Sequence, residues 1–428
     1  MPGGDYDSGG GTQVTVAAWK IPLEDAVTDG QRGVTPLDAV IIGGCGRVGL
    51  PLGIALASRG LSVVLYDINA AAVATVNSGV LPFAEEGAAE LLAAAVGEGR
   101  LRASTDPASV SAADTIVVIV GTPVDEHLNP DIAAVPLAIE RCADFLRHGQ
   151  LMILRSTVHP GVTALTERML ARRSLQLDVA FCPERIAEGR AMTELFDLPQ
   201  IVAARTEQAG DRAEKFFRNL TGQIVRLQPE EAELAKLFTN TWRYIKFAAA
   251  NQFWMMANDA GLDFERVRHA ITFDYPRAAD LPGPGFAAGP CLFKDTMQLA
   301  AFNRNNFVLG HSAMLINEGL PLYLVSRLEE RYDLSSMTVG VLGMAFKAGS
   351  DDPRESLSYK LRKILLMKAQ ATLCTDPYVV DERFVSLDEV LARADLLVIA
   401  APHADYRGLV TDKPVADMWG VTGRGMAI

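Results

Sequence analysis

The segment Gly44-Cys45-Gly46-Arg47-Val48-Gly49 constrains this chain more than any other, because it matches G-x-G-x-x-G in a specific setting. It directly follows a short buried-strand pattern, Ala39-Val40-Ile41-Ile42-Gly43, and opens a helical stretch from about Arg47 to Arg59. The first glycine permits a tight turn, the second lets backbone approach a pyrophosphate, and the third lets helix pack on strand. The helix start, Val48 included, offers N–H donors and partial positive charge to phosphate. The next strand, residues 61–66, ends at Asp67, 18 residues past Gly49, where a carboxylate accepts from ribose hydroxyls and repels a 2′-phosphate. The loop therefore predicts dinucleotide binding, with NAD preferred over NADP.

Further apolar runs at 115–120, 151–154, 178–182 and 201–203 alternate with helical material, which predicts a doubly wound parallel sheet. Glu230 to Ala260 then contains no Gly or Pro, room for one helix about 45 Å long. A helix of that length links domains or builds a dimer. A second strand–helix–strand series runs from Thr338 to Ala401. The expected fold is α/β: two doubly wound Rossmann-like domains joined by a central helical segment with one long helix. At 428 residues the chain is too large for one core. The expected division is a flexible glycine-rich extension over 1–36, a dinucleotide domain over 37–228, a helical, dimerising segment over 229–330 and a second α/β domain over 331–428.

A net charge of −12 argues against nucleic acid or an anionic membrane as partner. Anionic ligands then require particular Lys and Arg residues. The five cysteines (45, 142, 182, 291 and 374) have no CxxC spacing, and no export signal precedes them, so reduced thiols in the cytoplasm are expected. The sparse histidines show no metal-ligand spacing, so no metal is expected. No apolar run has the length of a membrane span.

Eight segments then carry a resemblance: GCGRVGLPL (44–52), GTPVDEHLNPD (121–131), RSTVHPG (155–161), CPERIAEG (182–189), AELAKLFTN (232–240), PGPGFAAGPCLFKD (282–295), GMAFKAGSDDPRES (343–356) and DPY (376–378). Together, and in this order, they resemble the UDP-glucose/GDP-mannose dehydrogenase family from about residue 38 to the C-terminus. The resemblance implies oxidation of the C6 alcohol of a UDP-sugar to a carboxylate, using NAD twice. The substrate is UDP-glucose or a UDP-N-acetylhexosamine, and the assembly a homodimer. An alcohol-to-acid oxidation removes four electrons, so the aldehyde must be held while the cofactor is exchanged, and a covalent thiol adduct does this.

Cys291 matches the family's catalytic cysteine. It follows Pro290, a good first helical residue, which places its sulfur near a helix N-terminus that favours thiolate. Asp295 matches the acid that manages the proton and the hydrolytic water, and Lys294 reads as structural or as a substrate contact. Lys236 and Asn240, four apart on the long helix, share a face. There a charged amine and an amide donor would stabilise a developing alkoxide and contact the sugar. Glu184 matches the carboxylate for thioester hydrolysis, and Glu188 a second acid that touches substrate or supports Glu184.

Arg277 matches an arginine reaching substrate across the dimer, Lys347 a lysine on the nucleotide or sugar, and Arg354 an arginine on the NAD pyrophosphate, for which guanidinium geometry is suited. Thr122 and Thr157 match loops on the nicotinamide side. Two departures from the family pattern are the bulkier GFAAGPC approach to the thiol and Asp417-Met418-Trp419, where many members carry an arginine.

Two other classes fit parts of the sequence. A two-electron hydroxyacid dehydrogenase needs a lysine but leaves Cys291 and the second α/β domain without a task. A non-catalytic NAD- or sugar-nucleotide-binding regulator leaves the Cys, Lys, Asn, Asp and Glu set without one.

Overall fold

A computed structural model describes residues 37–125, 127 and 129–423. The expected extension over 1–36 lies outside the described residues. Eight strands build the first sheet: β1 (Leu37–Ile42), β2 (Val63–Tyr66), β3 (Leu101–Ser104), β4 (Ala113–Val118), β5 (Leu151–Leu154), β6 (Asp178–Phe181), β7 (Gln200–Ala204) and β8 (Ile224–Leu227). Their order is β3-β2-β1-β4-β5-β6-β7-β8. The direction of winding reverses between β1 and β4, and the strand ends there form the crevice that binds ligands in sheets of this kind. Ile42 pairs with Tyr66 on one side and Val118 on the other, so three strands end level beneath that crevice. Ala39, Val40, Ile41, Val64, Leu65, Ile116 and Val117 are fully buried because helices cover both faces.

One departure from the parallel expectation is present: β7 runs antiparallel to β6, while β8 is parallel to β7. An apolar run encodes burial on both faces and says nothing of strand direction, so the reversal has no signature in composition.

The long helix spans Pro229–Asp259, 31 residues. Pro229 occupies its first turn, where no N–H is needed, and Glu231 accepts from Gln228 N at 2.8 Å, capping the start. Helices Phe264–Thr272, Leu292–Phe302 and Val308–Arg331 follow. The second sheet, order β10-β9-β11-β12, is wholly parallel: β9 (Thr338–Leu342), β10 (Ala371–Thr375), β11 (Leu396–Ile399) and β12 (Val415–Ala416).

The apolar residues Ile245, Phe247, Phe253 and Trp254 of the long helix suggest by sequence a surface covered by a partner, but Trp254 is fully buried in the chain's own core, in one cluster with Leu320, Leu324 and Val339. Ile245 and Phe247 pack partly against Tyr244 and Ala248. The uncovered apolar surface keeps Phe253, as expected, and adds Phe238, Trp242 and Met256, each about half exposed or more. Among the described residues no helix is long and apolar enough to cross a membrane.

Candidate active site between the two sheets

The glycine loop divides by cause. A Cβ on Gly44 would lie 2.7 Å from the Leu65 side chain, and one on Gly49 would lie 2.6 Å from Gly43 O, so packing of loop, strand and helix fixes both. A Cβ on Gly46 would meet nothing nearer than 3.6 Å. Nothing in the chain demands glycine there, whereas a ligand lying on the backbone does. Asp67 stands at the end of β2, its Oδ2 accepting from Cys45 N and its Oδ1 from Asn69 N, both at 3.0 Å. Val48 caps the helix Gly49–Ser58. This cradle of loop backbone, helix start and carboxylate fits a dinucleotide.

Arg47, within the same loop, directs its side chain to acidic partners. Its Nη1 reaches Glu188 at 2.6 Å and Asp351 at 2.7 Å, and its guanidinium lies over the Phe83 ring. The side chain therefore joins the first sheet's loop to the loop that follows β9. Glu188 likewise pairs with Arg47 rather than supporting Glu184.

The reacting set assembles where the long helix crosses helix Leu292–Phe302. Lys236 and Asn240 point inward from the long helix and are buried, and Asp295 is wholly buried opposite them. Asn240 Nδ2 donates to Asp295 Oδ2 at 2.5 Å. Lys294 Nζ lies 3.2 Å from Asp295 Oδ1 and donates to Thr122 Oγ1 at 3.0 Å, and Thr122 Oγ1 donates to Thr157 O at 2.6 Å. One chain of contacts thus runs from Asn240 to the two threonines read as nicotinamide-side.

Burial lowers the Lys236 pKa, while the charges of Asp295, Cys291 and Glu184 work to raise it. Among the described residues no carboxylate lies within ion-pair distance of its ammonium.

Cys291 caps helix Leu292–Phe302, with Pro290 outside the helix rather than at its first position. It is the one exposed cysteine of the five. Burial and then Asp295 raise its thiol above the ordinary range, against the lowering effect of Lys294 and Lys236. The helix end that favours thiolate is thus opposed by a partly desolvated site and a neighbouring carboxylate.

Glu184 is clamped. Its Oε1 accepts from Arg185 N at 2.6 Å and Ile186 N at 2.8 Å, and its Oε2 pairs with Arg155. Arg155 is 2% exposed, donates to Cys182 O and Gln200 Oε1 at 3.0 Å each, and lies over the Phe217 ring. Sequence reasoning quoted Arg155 inside RSTVHPG without assigning it. A charged residue ending an otherwise apolar strand (LMIL-R) was the available signal.

Lys347 bonds Glu188 O, and its pKa is lowered by burial. Arg354 forms a fork with Asp352 and remains half exposed toward the cleft. Arg277 is exposed, stacks on Tyr275 and is not brought to this set within one chain. A cleft of ≈ 780 Å³ adjoins the Cys291 loop, lined by Gly289, Phe293, Arg354, Tyr359, Lys360 and Arg383 among others. Tyr359, Lys360 and Arg383 were also missed, because only the turn after β10 brings Arg383 beside the helix Leu357–Lys368. The two departures from pattern meet each other: the Trp419 ring lies on Gly285, within 2.0 Å of where a Cβ would stand.

Comparison with known proteins agrees with this layout. Residues 38–221 match the NAD binding domain of the UDP-glucose/GDP-mannose dehydrogenase family, 230–318 its central domain and 340–424 its UDP binding domain. The UDP-N-acetyl-D-mannosamine dehydrogenase of Pyrococcus horikoshii is 32% identical over 379 residues, covering 86% of this chain and 90% of that protein. Its namesake from Escherichia coli K12 is 30% identical over 397 residues, covering 85% and 93%. Among solved structures, the Pyrococcus horikoshii UDP-D-ManNAc dehydrogenase superposes with a TM-score of 0.82 at 30% identity, covering 87% and 91%. A UDP-glucose dehydrogenase from Pyrobaculum islandicum superposes with a TM-score of 0.85 at 28% identity, covering 94% and 98%. With an NAD binding domain and a UDP binding domain in one chain, the protein is an NAD-dependent oxidoreductase of nucleotide sugars. It belongs to the UDP-glucose/GDP-mannose dehydrogenase family.

Proposed function

We propose that this protein oxidises the C6 hydroxyl of a UDP-N-acetylhexosamine to the uronic acid in two NAD-dependent steps, with UDP-N-acetylmannosamine the first substrate to test. The observation that carries the reading is the buried meeting of Lys236, Asn240 and Asp295 beside the one exposed thiol, Cys291. The relatives named above favour the acetamido sugar. UDP-glucose is the second reading, favoured by the likeness to the Pyrobaculum islandicum enzyme.

NAD⁺, when bound, supplies the hydride acceptor for each oxidation. In the first step C6 loses a hydride and its hydroxyl a proton, with Lys236 and Asn240 stabilising the developing oxyanion. Burial lowers the Lys236 pKa, which eases loss of its proton, while the charges of Asp295, Cys291 and Glu184 favour its ammonium form. The Cys291 sulfur then bonds the aldehyde carbon, its proton passing by way of Asp295 or Lys236 to the carbonyl oxygen. Loss of a second hydride and of the hydroxyl proton leaves a thioester. Water oriented by Asp295 and Glu184 adds, the C–S bond breaks, and carboxylate and thiol separate.

The UDP moiety occupies the cleft beside Tyr359, Lys360 and Arg383, the Lys347 and Arg354 side chains meet the anionic groups, and segments 37–228, 229–330 and 331–428 act as NAD, dimerisation and sugar-nucleotide domains. The test is stoichiometry across a panel of UDP-sugars. Two NADH per sugar with uronic acid as product is expected, and UDP-N-acetylmannosamine should turn over faster than UDP-glucose. One NADH with accumulating aldehyde would overturn the four-electron reading.

A further inference from the structure

The DPY turn and the histidine that ends the last apolar run lie outside the reacting set, yet they hold a loop that contacts the segment before Cys291, the Glu188 segment and the glycine loop. Asp376 and His403 both have wholly buried side chains, with His403 Nε2 3.1 Å from Asp376 Oδ2. Gly349 N donates to His403 Nδ1 at 3.1 Å, which fixes the ring as the neutral tautomer with its proton on Nε2. Asp376 Oδ2 also accepts from Met344 N at 2.6 Å and Ala345 N at 2.9 Å, while Oδ1 accepts from Tyr378 N at 2.8 Å and Val379 N at 2.9 Å. Tyr378 and Tyr406 flank the imidazole, with centroids 5.1 and 5.7 Å away. Both ends of the loop 344–349 are therefore fastened to one two-residue post.

That loop makes three contacts with other segments of the chain. Phe346 packs on Gly289, where a Cβ would come within 2.6 Å of its ring, two residues before Cys291. Lys347 bonds Glu188 O. Asp351, just beyond it, pairs with Arg47 of the glycine loop and accepts from Ala84 N at 3.0 Å. Thiol loop, acidic segment and dinucleotide loop all lean on this one segment. Neither Asp376 nor His403 touches the cleft.

We propose that His403, with Asp376, is a positioning residue: it holds the loop 344–352 so that Phe346, Lys347 and Asp351 set the spacing between the two ligand-binding halves. The role in sugar-nucleotide affinity rests on the UDP-sugar reading; the role in holding the loop does not.

Glutamine offers an amide donor and a carbonyl acceptor at about the separation of the two imidazole nitrogens, so His403→Gln retains both bonds. His403→Phe keeps the ring and loses both. Hydrogen exchange read by mass spectrometry should show faster exchange over 344–352 in His403→Phe, with β9 still protected. The KM values for NAD⁺ and for UDP-sugar should both rise about tenfold, the scale of one hydrogen bond lost in each cross-cleft contact, while kcat falls less. His403→Gln should return exchange and both KM values to within about twofold of the parent. If His403→Phe does not fold, His403→Asn, whose amide reaches the Nδ1 position alone, takes its place with the same expectations in weaker form. Unchanged exchange over 344–352 in a folded variant overturns the proposal outright. Faster exchange with unchanged KM values would leave His403 a purely structural residue and overturn its positioning role. Inactivity of the parent toward every UDP-sugar would instead count against the substrate reading, with the exchange result still standing.

Discussion

Asn240 and Asp295 lie 55 residues apart and meet at 2.5 Å, amide nitrogen to carboxylate oxygen, inside a site closed to solvent on that side. Among the described residues the amide is the one hydrogen bond of Asp295 Oδ2, so removing it leaves the buried carboxylate held by Lys294 alone. Asn240→Ala should lower kcat/KM by about 100-fold, a cost of about 2–3 kcal/mol. Asn240→Asp places two carboxylates in contact, which raises one of their pKa values. Its activity should collapse at neutral pH and recover in part as the pH is lowered. A pH–rate profile no different in shape from the parent's would show that the contact does not matter to turnover.

The Arg155–Glu184 pair gives a second expectation. Arg155 is buried, and Glu184 retains little exposure. Arg155→Met leaves the carboxylate without its cation, which should destabilise the fold by about 3 kcal/mol. Arg155→Met combined with Glu184→Gln removes the unpaired charge as well, and urea unfolding should place it above the single Arg155→Met variant. The order of those two midpoints decides whether the coupling exists.

Much of this architecture was readable because burial leaves a pattern. The runs at 151–154 and 178–182 became β5 and β6 almost residue for residue, and Pro229 with the Gly-free stretch after it marked the long helix. What escaped has physical reasons. β3 (LRAS) and β8 (IVRL) lie at the sheet edges and carry exposed polar residues, so neither looks like a buried run. At the site, the spacing of Lys236 and Asn240 announced a shared face. The partners of Arg47 and Glu184 depend on segments 304 and 29 residues away, and no local pattern encodes such pairings. The thiol's surroundings were hidden for the same cause, since helix position was visible and the neighbouring carboxylate in a desolvated site was not.

Phe238, Trp242, Phe253 and Met256 leave an apolar surface on the long helix that water covers poorly. A homodimer through this face is expected, and Trp242→Glu should shift light scattering from dimer to monomer. Exposed Arg277 is expected to serve the partner's site. Mixing Arg277→Ala with Cys291→Ala should then restore about a quarter of parental activity, because half the dimers formed are mixed and each mixed dimer rebuilds one intact site. No recovery after exchange of subunits would place Arg277 in its own chain's site or in none.

Asp376 gives an expectation for acid stability. Burial alone would raise its pKa, but His403 and the backbone N–H groups hold it down, from an ordinary 3.8 to about 2. A carboxylate lowered on folding stabilises the folded state above its unfolded pKa, and that contribution disappears as pH falls through the folded one. It is worth about 2 kcal/mol above pH ~4 and fades toward pH ~2. Asp376→Asn should therefore unfold more easily at pH 7, and its deficit relative to the parent should shrink as the pH falls below 4. A deficit constant with pH would mean that the charge of Asp376 contributes nothing.

The sharpest expectation concerns Cys291. Cys291→Ala removes the nucleophile and leaves the glycine loop, Lys236, Asn240 and the cleft in place. Binding of NAD⁺ and UDP-sugar should survive, while overall turnover falls by about three orders of magnitude or more, since no neighbouring group replaces a lost covalent step. Cys291→Ser forms an ester at best, slowly made and slowly hydrolysed, and intact-protein mass spectrometry after incubation with substrate and NAD⁺ should find it. Because burial and Asp295 raise the thiol's pKa, alkylation by iodoacetamide should accelerate with pH and inflect above the ordinary thiol value of 9.0. Lys236→Ala, which deletes a cation that lowers that pKa, should move the inflection higher still. Cys45, Cys142, Cys182 and Cys374 are buried and serve as controls, each expected to tolerate Ala with modest loss. Near-normal release of two NADH per sugar by Cys291→Ala would make the thiol structural and remove the covalent route.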